Sequence, residues 1–257
     1  MKLNQIEVLS QEEIHLIHEA SLEILEQEGV VVLSDFIRNF LAEKGLPVDH
    51  NSGLVRIPAS VVAACLQQVP SSFALYSVDN QPWKKIGVGD PLFACGHNAV
   101  FLFDYQTGSR RDSLVEDVEK FVCIADQLDE IDLIGIPVMP QDTPAKSTLL
   151  YAVKAALNHS TKPLFYSSES ASINQAIIQM AKAINPDISK RPFLISQLSP
   201  TSPLFWEKGT IEALYEVCSN GILLAVLPEP IAGASAPYSL AGLLTMHNAE
   251  CLSGIVF

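Results

Sequence analysis

Apolar residues along this chain fall into two regimes. Before residue 131 they recur at helical spacing in short blocks divided by turns. Ser10 opens the first block with Glu13 three residues on, a capping-box pattern. Ile14, Ile17, Leu22, Ile24 and Leu25 supply its apolar stripe, and Gly29 stands where a helix would end. A second helix is predicted over residues 34–44. A short strand is expected at residues 55–57 after the turn Asn51-Ser52-Gly53. A helix follows over residues 59–69, with Pro58 suited to its first turn. Residues 73–78 alternate like a strand, residues 93–105 are strand-rich, and Ser113 can cap a helix over residues 115–128.

Beyond residue 131 the pattern becomes periodic on a longer scale. Continuous apolar strands are predicted at residues 131–138, 163–166, 193–198, 221–227 and 252–257, with starts about 30 residues apart, as βαβ units require. Helices are predicted between them, over residues 145–158, 172–184, 207–219 and 238–250. Continuous rather than alternating apolar strands imply burial on both faces. No G-x-G-x-x-G follows any strand, which favours a barrel over a doubly wound sheet. The fold class read from this pattern is α/β. It is a partial TIM (β/α)8 barrel over residues 131–257, stopping within or after a fifth strand, preceded by an α+β covering segment over residues 1–130. A complete small open sheet is the alternative.

Charge supports that division. Only six charged residues lie from Pro192 to the end of the 257-residue chain, so the second half reads as an interior layer. The net charge is −13, with 48% hydrophobic residues. Such a balance disfavours nucleic acid and anionic membranes, which need a basic face, and is compatible with a cationic small substrate. Five widely spaced cysteines without a C-x-x-C pair give no zinc ribbon or disulfide framework. The opening Met1-Lys2-Leu3-Asn4-Gln5 has no apolar run behind it, and the uncharged stretches 57–78 and 230–249 are too polar and proline-broken to span a lipid bilayer. A reducing, cytoplasmic location is expected, and a homo-oligomer is compatible with the open strand edges.

Ligands of parallel α/β folds sit at the carboxyl ends of the strands. The loops there hold Gln141 after the first strand, Thr201 and Ser202 within Ser199-Pro200-Thr201-Ser202-Pro203-Leu204, and Glu229 and Ser235 in the stretch 228–237. Thr201 or Ser202 can cap the next helix or hold a ligand oxygen. Glu229 could face a cation. The turn Gly233-Ala234-Ser235-Ala236-Pro237 could let a ligand approach the backbone. His247, Asn248 and Glu250 lie on an otherwise apolar helix, where a buried carboxylate needs a partner. His15, His18, His50, His97, His159 and His247 are scattered, giving no metal constellation, and no G-x-S-x-G or other nucleophile motif is present.

Several of these segments together resemble the trimethylamine methyltransferase family. They are the opening stretch from Leu9 to Ala20, Val55-Arg56-Ile57-Pro58, Val69-Pro70-Ser71-Ser72-Phe73 and Asp104-Tyr105-Gln106-Thr107-Gly108. In the second half they are Ile136-Pro137-Val138 with Gln141-Asp142, the Ser199–Leu204 loop, the Gly233–Pro237 turn and the stretch from His247 to Val256. The resemblance implies a TIM barrel that takes a methyl group from trimethylamine or a quaternary amine such as glycine betaine. The acceptor is the cobalt(I) of a corrinoid (cobalamin) carried by a separate corrinoid protein, with no covalently bound cofactor on the chain itself. Cobalt would be the nucleophile, so a protein nucleophile is not needed. Gln141, Thr201, Ser202, Glu229, Ser235, His247, Asn248 and Glu250 become the candidate substrate-binding residues.

The family's members are nearly twice this length, and the pyrrolysine that some carry falls beyond residue 257. The resemblance therefore implies an N-terminal half, with little or no turnover expected from these 257 residues alone. The wording of residues 234–238 is closer to pyrrolysine-lacking betaine-type relatives. A non-catalytic remnant or assembly subunit that docks a corrinoid protein is the alternative function. An unrelated barrel lyase or aldolase is disfavoured by the lack of a strand-end lysine.

Overall fold

The computed structural model describes residues 7–89, 91–96 and 98–257; the opening Met1–Gln5 and His97 lie outside the described residues. In chain order the elements are α1 (Gln11–Gln27), β1 (Val30–Val32), α2 (Asp35–Glu43), β2 (Val48–Asp49), β3 (Leu54–Val55), α3 (Ala59–Gln68), β4 (Phe73–Tyr76), β5 (Pro82–Ile86), β6 (Phe101–Phe103), β7 (Arg110–Asp112) and α4 (Val115–Asp126). There follow β8 (Ile134–Gly135), α5 (Thr148–His159), β9 (Leu164–Ser167), α6 (Ala171–Ile184), β10 (Leu194–Leu198), β11 (Phe205–Trp206), α7 (Lys208–Ser219), β12 (Leu223–Val226) and α8 (Leu240–Val256). They group into two compact units. One comprises the residues up to Val69 with Ser199–Ile211 and Val226–Phe257; the other comprises Pro70–Leu198 with Glu212–Ala225.

The first unit contains a four-stranded sheet in the order β11-β1-β3-β2, in which β1 runs parallel to β11 and antiparallel to β3. The capping box at the start of α1 is formed: Glu13 N donates to Ser10 Oγ, and Ser10 N donates to Glu13 Oε2 at 2.8 Å. Gly29 ends the helix at φ +79°, and a Cβ there would lie 2.6 Å from Val55 O, so both the backbone angle and the space exclude other residues. Helix α8 packs on α1 and α3. It corrects the strand expected at residues 252–257, which form its last turns. A six-residue apolar run does not tell strand from buried helix. Here Gly254 lets the helix approach closely: a Cβ would meet Val226 Cγ2 at 2.7 Å and Trp206 Cζ2 at 3.2 Å.

The second unit holds the parallel sheet, in the order β12-β10-β9-β8. The sheet is open; the described residues form no closed barrel. Its register pairs Leu194 with Leu164, Gln197 with Ser167, and Gly135 with Phe165. Ala94 and Ala99 make parallel bridges to Leu133 and Val138, and Asn98 N donates to Ile136 O at 2.7 Å, so the edge of β8 away from β9 is already occupied. One face of the sheet is sealed. Leu164, Tyr166 and Leu194 pack there with Val118 and Val122 of α4, Val153 of α5 and Ile177 of α6. The other face is covered only in part, where Leu75, Leu133 and Ile195 pack with Phe73, Trp83 and Phe165. Burial on both faces was expected, but β9 alternates buried with half-buried, and all of β12 is half-buried.

Charges fix both ends of α4. Ser113 was expected to cap α4 but donates to Met139 O at 2.6 Å. The exposed N–H groups are taken by carboxylates instead: Val115 N donates to Asp142 Oδ1 and Leu114 N to Asp117 Oδ2. At the other end, buried Lys162 Nζ donates to Ala125 O and Leu128 O at 2.8 and 2.7 Å. Asp117 is 6% exposed and receives both terminal nitrogens of Arg111 at 2.7 Å. The Arg111 guanidinium holds its carboxyl below the usual carboxylate range.

Two outcomes follow for stability. Gly254→Leu forces a side chain onto Val226 and Trp206 and is expected to cost about 1–3 kcal/mol in urea unfolding. Asp117 has a lowered folded-state pKa, so its contribution is present above an unfolded value near 3.8 and is lost as pH falls through the folded value. Asp117→Asn should therefore cost about 1–3 kcal/mol at pH 7, a range that allows for the solvent access of Arg111, and the deficit should shrink under acid. A deficit that is constant with pH would contradict this.

Candidate functional site

In the first unit, the segment that follows β10 in the chain is held in a fixed shape. Thr201 N donates to Phe205 O at 2.7 Å and Phe205 N to Thr201 O at 3.1 Å, closing the turn, and the Ser202–Pro203 peptide is cis. Glu250 of α8 reaches this turn with both carboxylate oxygens. Ser202 Oγ donates to Oε2 at 2.7 Å, and Leu204 N donates to Oε1 at 2.9 Å. Glu250 is 0% exposed. Burial pushes its carboxyl above the usual range, and the two hydrogen bonds and nearby His247 oppose that only in part. A hydrogen-bonded column continues along the helix: Trp206 Nε1 donates to Ser253 Oγ at 3.0 Å, and Ser253 Oγ donates to Glu250 O at 2.7 Å. Ser199 Oγ closes the base of the loop by donating to Leu227 O at 2.5 Å.

The structure thus brings three of the eight sequence-selected residues together, Thr201, Ser202 and Glu250. His247 and Asn248 lie one turn back on α8. His247 Nδ1 is 3.8 Å from Cys251 Sγ, and burial together with Glu250 pushes the Cys251 thiol up to about 11, so it stays protonated at neutral pH. Asn248 Nδ2 donates to Ser21 Oγ at 3.0 Å, bolting α8 to α1. His18, Leu244, His247 and Asn248 help line a cavity of about 340 Å³. Ser235 Oγ accepts from Ile231 N at 2.9 Å, and the N–H groups of Ala234, Ser235 and Ala236 all turn inward to Ile231 O. That turn is closed on itself, and Glu229 beside it is exposed. Gln141 belongs to the second unit, where it is exposed and its side chain donates to Met139 O at 2.9 Å.

Sequence reasoning did not single out Gln197, which lies in register with Ser167. The available signal was a polar pair, Ser196-Gln197, inside an otherwise apolar strand. Gln197 Oε1 is buried without a hydrogen-bond partner. Among the described residues no group of three or more His, Cys, Asp or Glu could hold a metal ion. No helix of the described residues is long and apolar enough to cross a membrane.

The role of Glu250 can be read from its pH dependence. An acid with a raised folded-state pKa binds its proton more tightly in the native state. Stability therefore falls as pH rises from the unfolded value, near 4.5, through the folded value. Glu250→Gln removes that slope and keeps an acceptor for Leu204 N, so its stability relative to the native protein should improve from pH 5 to pH 8. Glu250→Ala strands Ser202 Oγ and Leu204 N and is expected to cost about 2–4 kcal/mol. Parallel pH profiles for the native protein and Glu250→Gln would contradict this reading.

Comparison with known proteins places these residues in a family. The model described as trimethylamine methyltransferase (MTTB) matches residues 1–257. A trimethylamine methyltransferase MttB of Desulfitobacterium hafniense (strain DSM 10664 / DCB-2) is 29% identical over 96% of this chain and 50% of its own length. The MttB of Methanosarcina thermophila is 28% identical over 98% of the chain and 54% of its own length. A glycine betaine methyltransferase of Desulfitobacterium hafniense (strain Y51) is 26% identical over 98% and 53%. The chain spans about half the length of these curated relatives. With the family model matched from end to end, the chain belongs to the trimethylamine methyltransferase family.

Proposed function

We propose that this chain takes part in moving a methyl group from a tertiary or quaternary amine to the cobalt(I) of a corrinoid carried by a separate protein. The family match over residues 1–257 carries this reading, and the relatives named for trimethylamine and for glycine betaine supply the two substrate classes. The parallel βα units are read as part of a (β/α)8 barrel, whose ligands bind at the carboxyl ends of its strands. In the reaction the N–CH3 bond breaks, the bonding pair stays on nitrogen, and the methyl carbon takes the electron pair of cobalt(I). A tertiary ammonium leaves as a neutral secondary amine, and a quaternary one leaves as a tertiary amine.

No side chain has to attack the substrate in this scheme. The chain's task is to hold the amine with one N–CH3 bond aimed along the line of attack, which is where orientation lowers a barrier. A loop that moved would spoil that aim. The Ser199–Leu204 turn, braced by Glu250, suits such a task, and Thr201 and Ser202 are its candidate contacts. Glu229, Ser235, His247, Asn248 and Gln141 remain candidates from the same strand-end argument. The net charge of −13 favours the approach of a cationic amine.

The test uses the protein expressed from its complete reading frame, mixed with a corrinoid protein reduced to cobalt(I). The expected result is an amine-dependent loss of the cobalt(I) absorption with trimethylamine or glycine betaine. Glu250→Ala should slow that loss by about tenfold or more through misplacement of the loop. Tight docking of the corrinoid protein without transfer from any methylated amine would contradict the proposal and support an assembly role.

A further inference from the structure

The β6–β7 hairpin of the second unit presents an aromatic face to solvent. It is a two-stranded sheet in which Phe101 pairs with Asp112, Leu102 with Arg111 and Phe103 with Arg110. Alternation puts Leu102 and Arg111 on its inner face. Leu102 packs on the apolar core, and both terminal nitrogens of Arg111 donate to Asp117 at 2.7 Å. Asp104 holds the turn: its N–H donates to Ser109 O at 2.8 Å, and its Oδ1 accepts from Thr107 N at 2.9 Å. The hairpin is thus fixed from behind, which removes an ordering cost from association. Phe101, Phe103, Arg110 and Asp112 share the outer face, and all four are exposed. Phe103 is 67% exposed, and Tyr105 in the turn is 100% exposed. The Phe101 and Phe103 rings meet edge to face with centroids 6.4 Å apart, and the Arg110 guanidinium lies 3.8 Å over the Phe101 ring. Among the described residues neither Arg110 nor Asp112 has an ion-pair partner.

Aromatic rings and arginine are the side chains that protein interfaces concentrate. An aromatic side chain buries about 150–250 Å². On that scale Phe101, Phe103 and Tyr105 together leave roughly 300–500 Å² exposed. That is about half of what one partner brings to a stable complex, and Arg110 and Asp112 add to it. We infer that this face is the interface between two copies of the chain. A two-fold axis lying between two stacked hairpins, level with the Leu102–Arg111 pair, reverses each strand against its copy. It sets Arg110 opposite the partner's Asp112, and Asp112 opposite the partner's Arg110. The same axis lays Phe101 over the partner's Phe103, and Phe103 over the partner's Phe101. The patch is therefore self-complementary, as a two-fold interface requires. One cation and one anion make the face locally neutral, whereas a face built for a basic or an acidic partner would carry one sign. The net charge of −13 does not prevent the approach, because charges more than about 8 Å apart are screened at physiological ionic strength. The inference stands apart from the methyl-transfer reading.

Sedimentation equilibrium at micromolar concentration tests it, on the protein from its complete reading frame and on its Arg110→Asp and Asp112→Arg variants. The native protein is expected to form a dimer, or an assembly that is a multiple of one. Each variant alone sets like charges against each other at both crossings. It should weaken dimerisation about tenfold or more and halve the mass, with a native circular dichroism spectrum. An equimolar mixture of the two variants restores opposite charges at both crossings and should regain the dimer as a heterodimer. A variant that associates as tightly as the native protein overturns the inference, and so does a mixture whose components stay apart. Loss of the native spectrum in both variants would show that the rest of the chain covers the face, which also overturns it. A monomeric native protein overturns it as well; if Arg110→Asp then loses docking to a corrinoid protein, the face belongs to that partner instead.

Discussion

A carboxylate with no solvent of its own governs the first unit. Glu250 is fully buried on α8, and its oxygens are satisfied by Ser202 Oγ and Leu204 N. A buried carboxylate without such donors would be costly enough to neutralise or unfold its surroundings. The requirement runs both ways. The donors sit on a short turn that the Thr201–Phe205 backbone pair closes, and the carboxylate adds two bonds on the helix side of it. Leu204 O then accepts from Val31 N, and Val31 and Val32 pair with Phe205 and Trp206. One side chain thereby links a helix, a strand-end turn and the edge of a sheet.

The second unit is organised by the inequality of the two faces of its sheet. Leu164, Tyr166 and Leu194 on the helix side are buried among α4, α5 and α6, and this is where burial of apolar area supplies stability. The opposite face keeps Phe165, Ser167 and Gln197 half-buried. A face held rigid from behind and left partly open in front is a suitable platform for a small ligand, because the groups that touch the ligand do not have to be ordered when it arrives.

Local chemistry was the most legible part of the sequence. Ser10 with Glu13, and Gly29, rest on contacts or backbone angles within a few residues, and the helix–strand alternation after residue 131 shows in local apolar patterning although its strands pair across about 30 residues. Ser10, Glu13 and Gly29 stand where the pattern put them, and the elements predicted between residues 131 and 227 are displaced by one to three residues at some ends, whereas the last helix runs six residues further than expected, to Val256. The failures were those that needed a distant partner. Ser113 looked like a cap but lies against Met139 O, while Asp142, far along the chain, caps α4. Residues 252–257 are apolar but for Ser253 and Gly254 and are too few to show a period, so only the fold, with Val226 and Trp206 against Gly254, shows the stretch to continue the helix. Residues 93–105 were legible as strand-rich, but not that Ala94 and Ala99 bridge to the edge of β8.

The candidate site was legible to the same degree. Glu250 stood out because a carboxylate among Ala249, Cys251 and Leu252 needed a partner, and Ser202 stood out because of its loop, but only the fold joins the two. Gln197 was hidden because a polar residue within a strand ordinarily means a solvent-facing position. The most direct measurement of the central bond is native-state hydrogen exchange at the Leu204 amide. If Glu250 fixes the turn, that N–H exchanges as slowly as the amides of α8. Exchange at the rate of an unprotected loop amide would show that the turn is not held by Glu250.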